Sequence, residues 1–150
     1  MRHRGAVRGV MVVLILVAAL AFVLTSCPSN RDGMPGQLAS AKEETQSAAR
    51  SGAMALQLWT LHRSTRDLTA VQLADARDEV VKAYQGIAVL KAEDPADLSR
   101  QALLTHSMTD VIGALNDANA AVRALPNQPD PREVQQRLLD GADALERDYH

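Results

Sequence analysis

The stretch LTHSMTDVIGALNDANAAVRAL, Leu104 to Leu125, reads as a helix with a single apolar seam. Leu104, Met108, Val111, Leu115, Ala118, Val122 and Leu125 recur at spacings of 4, 3, 4, 3, 4 and 3. Alternating threes and fours keep side chains on one helical face, since a turn takes about 3.6 residues. A face that apolar must be buried against something. Asp94-Pro95 offers a cap and a first helical residue, with Asp97 three residues past the cap. Leu125-Pro126 closes the pattern, because proline cannot continue a helix.

Working outward, the same device recurs. Asp130 caps a fourth helix, Pro131 follows, and Glu133 completes a capping-box-like pair ahead of Val134, Leu138, Gly141 and Leu145. A second helix is expected from Thr69, with Gln72 as its box partner and Leu68 stapled against Leu73. Its stripe is Leu73, Val80, Val81, Tyr84, Ile87 and Ala88. A first helix begins between Gly36 and Ser40, where Ser40 and Glu43 form another box. Its seam, Leu38, Ala41, Thr45, Ala48, Gly52, Ala55 and Trp59, consists mostly of small residues, so a neighbouring helix can come close.

No strand-like alternation appears downstream of residue 37. The expectation is all-α: an antiparallel up-down-up-down four-helix bundle over 38–150, with helices about 38–63, 70–92, 95–125 and 131–149. Short connections favour antiparallel neighbours. A dimer of helical hairpins sharing the same seams is the alternative, so the chain is expected to be a monomer or a dimer.

Upstream, the residues fall into three parts. Arg2, Arg4 and Arg8 make a positive start; Val10 to Leu24 is an uncharged apolar run of 15 residues; Thr25 and Ser26 then precede Cys27. That order is a secretory signal peptide over 1–26. The run is short for a permanent span, which takes about 20 residues. Cys27 is the only cysteine. Residues 27–37, with Pro28, Gly33, Pro35 and Gly36, read as a flexible tether.

Leu24-Thr25-Ser26-Cys27 resembles the lipobox of bacterial lipoproteins. The resemblance covers only the first 27 residues. It implies cleavage between Ser26 and Cys27 and lipidation of Cys27 through diacylglycerol on its sulfur, with acylation of the new amino group left open. Membrane attachment through two chains is stable, whereas one chain holds only marginally. Localisation is then the extracytoplasmic side of the cell membrane. A chance cysteine or an uncleaved anchor would still place the domain outside, because the arginines hold the amino end in the cytoplasm.

Removing Arg2, Arg4 and Arg8 takes the formal charge from −2 to −5. With few aromatic residues and no basic run, nucleic acid is not an expected partner. No Glu-x-x-His, His-Glu-x-x-His, Gly-x-Ser-x-Gly or phosphate loop occurs, so neither an enzyme nor a metal site is expected. His106 lies opposite its seam, His150 is terminal, and His62 sits near a helix end beside Arg63 and Arg66. Met108 and His62 are too far apart in height to hold haem together. Glu43-Glu44 and Asp78-Glu79 are adjacent and face apart, as solvated surface. Arg77 lies on the stripe of the second helix, and Asp140 on the fourth is its expected structural partner. Two roles remain: a non-catalytic module binding another cell-envelope protein, or a bundle holding a small apolar ligand or lipid inside.

Overall fold

A computed structural model describes residues 33–127 and 129–149. Four helices form an antiparallel bundle: α1, Gly33–Thr60; α2, Arg66–Ala88; α3, Pro95–Val122; and α4, Pro131–Asp148. Among the described residues there is no strand. Packing runs around a ring, α1 on α2, α2 on α3, α3 on α4 and α4 on α1. Across the ring, α1 also meets α3, while α2 and α4 stay apart.

The α3 seam is buried from Leu104 through Val122, and the α4 stripe through Val134, Leu138 and Leu145. Leu38, Leu56, Leu73, Leu104, Leu115, Leu138 and Leu145 are almost wholly removed from solvent. Each such side chain contributes about 1.5–3 kcal/mol relative to exposure. The α1 seam is buried from Leu38 to Ala55, and Trp59 is partly buried against the core.

Gly52 explains why α1 reaches α3. A methyl group built on it would lie 2.5 Å from Leu115 Cδ2, 3.5 Å from Leu138 Cδ1 and 3.6 Å from Leu73 Cδ2. One leucine from each of the other three helices therefore converges on a position with no side chain.

Several boundaries differ from the sequence reading. α1 begins at Gly33, so residues 33–37 are helical and not tether. Pro35 is compatible because it lies in the first turn, where its missing N–H would have no partner. Met34 packs on the core and holds that turn down. The Ser40–Glu43 box is not formed; Ser40 Oγ instead donates to Glu44 Oε1 at 3.2 Å within the helix. α2 begins at Arg66 with Thr65, not Thr69, as its cap: the Leu68 N–H donates to Thr65 Oγ1 at 3.3 Å. Thr69 is buried and donates its hydroxyl to the Thr65 carbonyl at 2.9 Å. Leu68, the expected staple, is 53% exposed. The Asp94 and Asp130 caps are formed, each carboxylate accepting an N–H at 2.7 Å from Ala96 and Arg132.

The carboxyl ends of α1 and α3 share one device. His62 (φ 56°) and Ala124 (φ 57°) adopt the left-handed conformation just past their helices. Arg63 N donates to Leu58 O at 2.8 Å and His62 N to Trp59 O at 2.9 Å. Leu125 N and Ala124 N donate likewise to Ala120 O and Ala121 O. These paired bonds are Schellman motifs, which satisfy carbonyls that the helix leaves over. The left-handed turn ends α3 three residues early and leaves Leu125 52% exposed, outside the seam it was expected to join. α2 similarly ends at Ala88, before residue 92.

Glycine substitutions separate these roles. Gly113 has open space around its Cβ position. Gly113→Ala should therefore stabilise by about 1 kcal/mol through helix propensity. Gly52→Ala should be near neutral, since Leu115 must move, and Gly52→Leu should cost about 1–3 kcal/mol by overpacking. Thermal melts of the three variants give the order; a Gly52→Leu protein more stable than wild type would contradict the packing.

At the α3 turn the backbone conformation itself is the test. A non-glycine residue in the left-handed region costs about 1–2 kcal/mol, part of which glycine gives back in unfolded-chain entropy. Ala124→Gly should raise stability by roughly 0.5–1 kcal/mol, read from urea midpoints at unchanged slope.

Candidate functional site

Ser26 and Cys27 lie outside the described residues. Arg77 and Asp140 do not meet. Arg77 Nη1 pairs with its neighbour Asp78 at 2.9 Å, and Asp140 Oδ1 accepts from Gln136 Nε2 at 2.9 Å. The two residues lie on α2 and α4, the diagonal helices whose backbones do not approach each other. Similar height along the bundle was legible from helix lengths, but adjacency around the ring was not.

His106 is exposed, 3.6 Å from Asp110 one turn on. His62 is exposed in its left-handed turn, and Met108 is fully buried in the core. Glu43, Glu44, Asp78 and Glu79 are exposed. Among the described residues no three His, Cys, Asp or Glu side chains come together as a metal-binding group.

Polar side chains cross between helices mainly to reach backbone. Gln46 Nε2 donates to the Ala142 carbonyl at 3.0 Å, joining α1 to α4. Gln101 Nε2 donates to Ile87 O at 2.7 Å and to Leu90 O at 3.0 Å, serving the end of α2 from α3. Buried bonds of this kind fix which helix levels face each other, because a slipped register would strand them.

Several bases on the sides of the bundle are paired. Arg50 on α1 reaches Glu146 at 2.8 Å and Asp143 at 3.5 Å on α4. The hydrogen bond to Glu146 is the main cause raising the Arg50 pKa above its ordinary value. Arg137 on α4 holds Asp117 on α3 at 2.7 Å. Lys42 lies 5.3 Å from the centre of the Tyr149 ring. Burial pushes the Tyr149 phenol up from its usual range, with Arg100 opposing and Asp97 adding to the shift.

At the end formed by the α1–α2 and α3–α4 connections the bases are clustered. Arg63, Arg66, Arg123 and Arg132 gather there, and none has an ion-pair partner among the described residues. Arg66 is the first residue of α2 and Arg132 the second of α4. Both stand at the positive end of a helix, where a cation is disfavoured by about 0.3–1 kcal/mol. Leu61, Leu68, Val71 and Leu125 are each more than half exposed at the same end. An open groove of about 300 Å³ runs between α2 and α3, lined by Arg66, Asp67, Ala70, Val71, Ala74 and Arg123. Asn119 Nδ2 donates to the Ala70 carbonyl at 3.3 Å, tying the groove's two walls together. Basic rims around an apolar floor can take an acidic chain carrying an apolar side chain.

In the sequence Arg63 and Arg66 stand out only as neighbours of His62. The missed signal was placement: arginine in a first helical turn runs against the helix dipole. Arg66→Glu should accordingly raise stability by about 0.3–1 kcal/mol at low ionic strength, an effect that shrinks with added salt. Melts at two salt concentrations measure it, and a destabilised Arg66→Glu protein would mean that the guanidinium is held by the fold itself.

Comparison with protein-family models, curated proteins and solved structures gives no match for this chain.

Proposed function

We propose that this chain is a lipoprotein, held by lipid on Cys27 at the extracytoplasmic face of the cell membrane, whose bundle is a non-catalytic module that binds another envelope protein. Leu24-Thr25-Ser26-Cys27, directly after the apolar run from Val10, carries the anchoring. Among the described residues no helix is long and apolar enough to cross a membrane. On this reading attachment falls to the acyl chains, each buried CH₂ contributing about 0.8 kcal/mol.

The choice of a protein-binding module over a ligand carrier rests on the interior. Around Gly52 the space that small residues open is filled by Leu73, Leu115 and Leu138. Among the described residues the depressions include open surface grooves, such as the one lined by Ser51, Met54, Leu58, Gln72, Asp75 and Glu79 between α1 and α2. A packed interior with shaped, chemically distinct surfaces favours contact from outside.

Metabolic labelling with an alkyne fatty acid tests the anchor. Wild type should take up label and migrate as the processed form, whereas Cys27→Ala should lose the label and remain unprocessed. Label retained on Cys27→Ala would sink the lipoprotein reading.

A further inference from the structure

We propose that the end of the bundle carrying Arg63, Arg66, Arg123 and Arg132 is the docking surface, and that it takes an acidic segment of a protein partner whose apolar side chain seats between α2 and α3. This rests on the envelope-binding reading for the class of partner, though not on the anchor. Charge is the first argument. The described residues hold 17 Asp and Glu against 12 Lys and Arg. Four of those twelve bases stand together at this one end. The amino ends of α2 and α4 lie in the same place, but the carboxyl ends of α1 and α3 beside them offset their partial charges, so the attraction rests on the arginines. An acidic segment is thus attracted to this end and repelled by the rest of the bundle, which orients it during encounter.

Apolar surface is the second argument. Leu61, Leu68, Val71 and Leu125 place exposed side chains among the arginines, and Ala70 and Ala74 leave room beside Val71 in the groove. Arg66 at the start of α2 and Arg123 at the end of α3 both line that groove. A seated side chain would bring its flanking carboxylates within reach of both guanidinium groups, which bind carboxylates in a two-point fork.

The pattern favours a protein over an anionic bilayer. Asp67, Asp130 and Glu133 lie among the arginines, where a uniformly negative surface would meet repulsion but a patterned partner could match each charge.

Photocrosslinking in the source cells tests the proposal on the full chain. Benzoylphenylalanine is placed at Val71, at Leu68 as a second position on the same face, and at Val89, exposed at the opposite end. Val71 or Leu68 should give an adduct that maps by mass spectrometry to an acid-rich segment of another protein, and Val89 should not. The adduct should fall at least ten-fold in the Arg66→Glu/Arg123→Glu protein and persist in Arg66→Lys/Arg123→Lys. No adduct from either position, or an adduct unchanged by charge reversal, would overturn the proposal. So would an adduct to lipid, which would make this end a membrane contact, or to a second copy of the chain. Membrane fractionation of the same samples keeps the anchor separate: a soluble protein that still forms the adduct loses the anchor and keeps the surface.

Discussion

The bundle depends on one close approach. Leucines from α2, α3 and α4 converge where Gly52 has no side chain, and that contact draws α1 against α3 across the ring. Four helices around a square leave a central gap unless side chains or backbones fill it. Here Leu73, Leu115 and Leu138 supply the volume and α1 supplies the room. Ala41, Ala48, Ala49, Ala53 and Ala55 continue the same logic along α1 and are almost completely buried. Small residues on one helix and leucines on the others interdigitate, so a core can form with only four aromatic residues in the whole chain.

Periodicity made most of this fold legible. The spacing from Leu104 to Val122 predicted the buried face of α3, and the Asp-Pro pairs at residues 94 and 130 located two helix starts. What was misread lies where local signals compete. Thr65 and Thr69 both offer a capping hydroxyl, and the sequence cannot rank them. Thr65 caps, while Thr69 turns inward and bonds one turn back. Leu125 continues the heptad arithmetically, yet Ala124 takes a left-handed conformation that a sequence shows readily only when the residue is glycine. The Arg77–Asp140 pairing failed for a different reason. Helical phase and height are one-dimensional properties, whereas adjacency around a ring is set by how all four helices close.

The candidate surface was legible only as a breach of rules. Acids belong in the first helical turn, and Asp67 and Glu133 obey. Arg66 and Arg132 stand beside them and do not. Leu61, Leu68, Val71 and Leu125 gather as exposed apolar side chains at the same end of the molecule. Either feature alone is commonplace. Their coincidence could be seen only after the antiparallel topology brought two connections, distant in sequence, to one end.

Rigidity links the two ends of the molecule in the proposed function. A lipid on Cys27 would fix the chain six residues before α1, and α1 runs without a break to the connection that bears Leu61 and Arg63. No proline interrupts α1 after its first turn, and its inner face is held by neighbours on three sides. A helix so confined transmits position along its length instead of bending. The far end of α1 therefore keeps one place relative to its start, about 42 Å along the helix from residue 33. For a module whose chemistry is confined to a few arginines and leucines, a rigid mount presents them together, where a flexible segment would scatter them.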